Sequence, residues 1–182
     1  GELVTEPLYL VCTHGKRDKC CAKFGFPLYK SLRKERDGSV WQSSHVGGDR
    51  FAANLLCFPH ALFYAHMTEE SAERVVSDYE RGEIVLEKFR GRACYSYPVQ
   101  AAEFFIRRES GLKGIGDLRG LSNERIETDG WRVRFSTADA HEIHEAVVRR
   151  RNSSFHNFIT CSDVERKSVV QFELDAYSVS RV

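Results

Sequence analysis

Cys12, Cys20 and Cys21 fall within ten residues of one another, whereas Cys57, Cys94 and Cys161 are scattered along the chain. Six cysteines in a small secreted protein would suggest disulfides, but three crowded into a charged turn favour a metal or redox site. Asp18 is suited to cap a helix, which puts Cys20 and Cys21 in its first turn. The positive end of that helix, with Lys16, Arg17 and Lys19 beside it, is expected to lower the thiol pKa values. Thiolate is the form that binds metal or attacks an electrophile. Cys12, at the end of the preceding apolar run, faces the same turn. A second constellation is His45-Val46-Gly47-Gly48-Asp49. Its adjacent glycines allow a sharp turn and close backbone approach to a bulky group, so His45 and Asp49 can converge on one point.

These groups must be carried by regular elements. Leu8-Tyr9-Leu10-Val11 reads as a buried strand ending in Cys12. After the turn, Cys21, Phe24, Leu28 and Leu32 have the spacing of one helix face, with Pro27 expected to kink the helix or delay its start. Val40-Trp41-Gln42-Ser43 reads as a second strand running into the His45 turn. Two short strands, Ala53 to Phe58 and Ala61 to Ala65, flank a turn at Pro59-His60. Thr68 opens a helix that runs to about Arg81 and is closed by Gly82. Strand, helix, strand, hairpin, helix is the element order of a thioredoxin-like domain. Pro98 to Arg108 is expected to be helical, with Gly111 past its end. Strands are expected at Trp131–Phe135, Ile143–Arg151 and Val170–Leu174, and Gly114 to Asp129 is expected to be mostly loop. The fold class is therefore α/β, a thioredoxin-like domain (1–92) with a C-terminal helix and antiparallel meander (93–182) packed on it.

Of 182 residues, 27 are basic and 26 acidic, giving a net charge of +1 that argues against a nucleic-acid partner. Arg149-Arg150-Arg151 is expected to be a solvated strand rather than a phosphate site. No run approaches a membrane span, and no apolar signal core follows a basic start, so no membrane partner and a cytoplasmic location are expected. The chain begins at Gly1 and has a single methionine, Met67, consistent with a piece of something longer.

The blocks Cys12-Thr13-His14-Gly15-Lys16-Arg17-Asp18-Lys19-Cys20-Cys21 and His45-Val46-Gly47-Gly48-Asp49-Arg50-Phe51-Ala52-Ala53-Asn54, with the later Tyr97-Pro98-Val99-Gln100-Ala101-Ala102-Glu103, resemble the sucrase/ferredoxin-like family. The resemblance implies a [2Fe–2S] cluster held by two cysteines and two histidines. Carried over, these positions are Cys12, Cys21, His45 and Asp49, with Asp49 standing where such relatives have a second histidine. Cys20 is the alternative fourth ligand. Mixed cysteine–histidine ligation is established for [2Fe–2S] centres. The implied function is a non-enzymatic ferredoxin-like electron carrier serving redox donor and acceptor proteins. Two alternatives use the same residues: a zinc-stabilised module, and a thiol oxidoreductase attacking through Cys12 or Cys21, against which no Cys-x-x-Cys occurs in the chain.

Overall fold

Two β-sheets, each with its own apolar core, are joined by one helix that packs on both. The computed structural model describes residues 5–182. The first sheet contains β1 (Leu8–Cys12), β2 (Val40–Ser43), β3 (Leu55–Phe58), β4 (Leu62–Tyr64) and β5 (Phe89–Arg92), in the order β2-β1-β3-β4-β5. β1 and β2 are parallel and connect through α1 (Lys19–Glu35), while the remaining neighbours are antiparallel. Helix α2 (Glu69–Glu80) follows β4, and its N-cap Thr68 and Ser71 form a capping box. Tyr9, Val11, Leu55, Cys57, Leu62 and Tyr64 alternate along the central strands and meet Leu28 and Leu32 of α1 and Val75 and Tyr79 of α2.

Helix α1 departs from the expectation for Pro27. It starts at its Asp18 cap and continues through the proline, whose missing N–H forfeits a single helical bond. Its buried stripe is Cys21, Gly25, Leu28, Tyr29 and Leu32, whereas Phe24 is 45% exposed at the margin. Helix α3 (Tyr97–Ser110) carries Pro98 in its first turn and ends on Gly111, whose φ of +76° suits a residue without a Cβ. The second sheet is an antiparallel meander of β6 (Leu118–Glu127), β7 (Gly130–Thr137), β8 (Glu142–Asn157) and β9 (Lys167–Arg181). β6 corrects the expected loop over Gly114 to Asp129. Only Leu118 of this edge strand is buried, so no apolar alternation marks it in the sequence. The basic run lies in β8 and is paired throughout, Arg149 with Glu127 and Asp175, Arg150 with Asp129, and Arg151 with Glu173. Among the described residues, no helix is long and apolar enough to cross a membrane.

The two halves meet at a buried carboxylate. Glu103 of α3 is fully buried and accepts from Arg92 Nε at 3.0 Å and from Arg107 Nη2 at 3.1 Å. The same guanidinium groups donate onward, Arg92 to the Ile115 carbonyl at 2.6 Å and Arg107 to those of Leu112 and Gly114 at 3.1 and 2.9 Å. Removing one member of such a network strands the others without compensation, so Glu103→Ala is expected to cost about 3–5 kcal/mol in denaturant unfolding. Stability unchanged in that variant would show that both arginines find other partners.

Candidate metal centre

The candidate donors gather where the two parallel strands end. In the β1–β2 register Cys12 lies opposite Ser43, so the segment leaving β2 starts beside the segment leaving β1. Asp18 caps α1 by accepting from the Cys20 N–H at 2.8 Å, and the first helical turn brings Cys21 under the end of β1. Gly25 makes this approach possible, because a Cβ there would stand 2.0 Å from the Cys12 carbonyl oxygen. Both thiols are buried, Cys12 at 1% and Cys21 at 0% exposure. His45 enters from the other strand, its N–H donating to His14 Nδ1 at 3.2 Å, and its own Nδ1 lies 3.8 Å from Cys21 Sγ. One donor atom each from Cys12, Cys21 and His45 lie within 4.8 Å of one another, a group that could hold a metal ion.

The glycine turn sets the opposite wall. Gly47 and Gly48 adopt φ of +87° and +79°, which reverses the chain into a 3-10 turn at Asp49–Phe51. The Gly48 carbonyl is held by Asn54 Nδ2 at 3.2 Å. Asp49 returns to the histidine from its other ring nitrogen, with Oδ1 3.2 Å from His45 Nε2. The contact lacks hydrogen-bond alignment, and that buried oxygen has no hydrogen-bond partner. Asp49 lies outside the three-donor group, facing the imidazole rather than the thiols.

The thiol chemistry differs from the expected lowering. Burial pushes the Cys21 thiol up to about 12, with the neighbouring Cys12 thiol and the Asp49 and Asp18 carboxylates adding to the rise. The helix end does not prevail because Cys21 is shielded from water and the charges of nearby acidic groups add to the effect of burial. Cys20, the alternative fourth ligand, instead forms a disulfide with Cys161, their Cα atoms 6.4 Å apart. Cys161 lies between β8 and β9, whose long hairpin reaches back to the start of α1. Its N–H donates to Asp18 Oδ2 at 2.8 Å, so one carboxylate caps the helix and also fastens the hairpin. In the sequence Cys161 is one of three scattered cysteines, far from the N-terminal cluster. A partner 141 residues away leaves no local signal. Cys57 lies in the first core and Cys94 is exposed, and neither joins the donor group.

Two buried thiols beside a half-buried imidazole at the ends of two parallel strands, in a two-sheet α/β chain, define a candidate metal-binding protein. Through residues 2–91 the chain belongs to the sucrase/ferredoxin-like family. It is similar to altered inheritance of mitochondria protein 32 of Meyerozyma guilliermondii, with 31% identity over 99 residues, covering 48% of this chain and 35% of the relative. The protein of the same name from Saccharomyces kudriavzevii is 26% identical over 105 residues, covering 50% and 34%. That from Debaryomyces hansenii is 31% identical over 99 residues, covering 48% and 36%. The chain thus spans about a third of the length of these relatives. No solved structure matches it. These findings correct the expected iron–sulfur electron carrier. The relatives are named for mitochondrial inheritance and not as ferredoxins, and nothing in the comparisons attests to a cluster or to electron transport.

Two measurements probe this arrangement. Gly25→Ala should destabilise the fold by about 1–3 kcal/mol, as overpacking does, because backbone blocks the new methyl. Alkylation of denatured, unreduced protein should label Cys12, Cys21, Cys57 and Cys94, and reduction should add Cys20 and Cys161. Labelling of all six before reduction would place the Cys20–Cys161 pair in its dithiol form.

Proposed function

We propose that this chain binds a thiophilic metal centre through Cys12, Cys21 and His45, with Asp49 orienting the histidine. The observation that carries the reading is the mutual approach of the three donors within 4.8 Å. Ligands of a tetrahedral ion at 2.0–2.3 Å stand roughly 3.3–3.8 Å from one another, and the 3.8 Å between His45 Nδ1 and Cys21 Sγ matches this spacing. Two sulfurs and an imidazole suit zinc, copper(I) or iron over magnesium or calcium. The fit extends outward. A histidine ligating through Nδ1 ordinarily gives its Nε2–H to a carboxylate or carbonyl, and the unpartnered Asp49 oxygen stands beside Nε2. A small turn of the imidazole would align its Nε2–H with this oxygen, and Asp49 would then hold the ring and raise its basicity instead of occupying the fourth position itself.

The frame is a thioredoxin-like domain over 1–92, of which residues 1–4 lie outside the described residues. Its support is the order β2-β1-β3-β4 with a helical crossover between the parallel pair. Residues 93–182 form an extension packed on it. The relatives' name supports a mitochondrial setting alongside the expected cytoplasmic one.

Metal and acid-labile sulfide analysis of anaerobically purified protein tests the reading. Retained metal is expected in the wild type, with loss in Cys12→Ser, Cys21→Ser and His45→Ala. Asp49→Ala should weaken metal affinity about 10–100-fold without abolishing binding, as removal of such outer partners does. Zinc without sulfide identifies a single ion, and iron with equimolar sulfide identifies the [2Fe–2S] group of the resemblance. Metal-free protein that takes up neither zinc nor iron would overturn the proposal.

A further inference from the structure

Beyond the thiol group, the glycine turn borders a second, wider cleft of about 540 Å³ between the two halves of the molecule, within the ordinary range of small-ligand sites. Phe89, Phe104, Phe105 and Phe172, contributed by the first sheet, α3 and β9, make its walls largely apolar. Arg50 and Arg90 also line it. Both guanidinium groups lie on the Phe51 ring, each with Cζ 4.3 Å from its centroid, and Arg90 also lies 4.2 Å from the centroid of Phe63. Both cations are seated on one ring, and the charge of Arg50 bears unfavourably on Arg90.

Neither arginine has a carboxylate partner among the described residues. Arg90 donates to the Asn54 side-chain oxygen at 3.3 Å, which uses one of its five N–H groups. Burial and the nearby Arg50 charge push Arg90 down to about 10, so it stays protonated at neutral pH. Contrast Arg92 and Arg107, which share Glu103. Two neighbouring cations facing an aromatic cleft without an internal anion are costly, and an external oxyanion removes that cost. Guanidinium groups pair edge-on with carboxylate and phosphate, and the rings on Arg90 fix its plane in advance.

We propose that this cleft binds a small organic oxyanion, a carboxylate or phosphate on a flat apolar body, with Arg50 and Arg90 taking the anionic head and the phenylalanine rings taking the body. The proposal is independent of the metal reading, since it uses neither the thiols nor His45.

Calorimetric titration of the purified chain with benzoate, phenyl phosphate, inorganic phosphate and benzyl alcohol tests it. Benzoate or phenyl phosphate should bind at least about tenfold more tightly than either inorganic phosphate or benzyl alcohol, because both head and body contribute. The stronger of the two aromatic anions identifies the head group. Arg90→Met and Arg50→Gln should each weaken that binding about tenfold or more while metal content stays unchanged. Arg50 lies on the 3-10 turn, outside both cores, and its variant keeps the test open if Arg90→Met fails to fold. Equal affinity for benzyl alcohol, wild-type affinity in the folded variants, or no binding of either aromatic anion would overturn the proposal.

Discussion

The buried Glu103 carboxylate is the constraint on which the arrangement of the two halves rests. It belongs to α3, the one helix that packs on both sheets. It neutralises Arg92, at the end of the first sheet, and Arg107, one turn further along the same helix. Through these arginines it also satisfies carbonyls of the segment leading into the second sheet. Exposed ion pairs contribute little and tolerate sliding, whereas a buried one with directional partners fixes position. If α3 shifted, Arg107 would move with Glu103 but Arg92 of the first sheet would lose the carboxylate, leaving the buried Glu103 short of one of its two cations. The placement of β8 and β9, and hence of the hairpin tip over the start of α1, follows from this anchor.

Asp18 plays the corresponding part for the thiol group. Its two carboxylate oxygens hold two chain segments, one at the helix start and one at the hairpin tip. Because Cys20 points toward that tip and Cys21 toward the core, adjacent cysteines with the same chemistry acquire different partners. Successive helical residues diverge by about 100°, which is enough to separate a disulfide partner from a candidate ligand.

The first half of the fold was legible because its signals are local. The short apolar runs of β1 and β3, the Asp18 and Thr68 caps, and the paired glycines after His45 each act within a few residues. The grouping of Cys12, Cys21 and His45 was what the family resemblance implied, and the β1–β2 register supplies its geometric cause. Features set by tertiary context were not legible. β6 is solvated along nearly its whole length, so it lacks the apolar rhythm that marks a half-buried strand. The pKa of Cys21 depends on burial beneath β1 and on Asp49, which helix position alone does not convey. The Cys20–Cys161 pairing and the aromatic cleft both join segments far apart in the chain.

That long-range closure has a consequence for the order of events during synthesis. Every proposed metal donor lies in the first third of the chain, and the family match ends at residue 91. The hairpin tip that fastens onto Asp18 does not exist until residue 161 has been added. At ordinary elongation rates the intervening stretch takes on the order of several seconds, far longer than local helix and hairpin formation. On a ribosome the strands and helix turn that carry Cys12, Cys21 and His45 can therefore form well before the Cys161 segment arrives to fasten the start of α1. The order of synthesis thus sets the thiol group first and its neighbouring disulfide second.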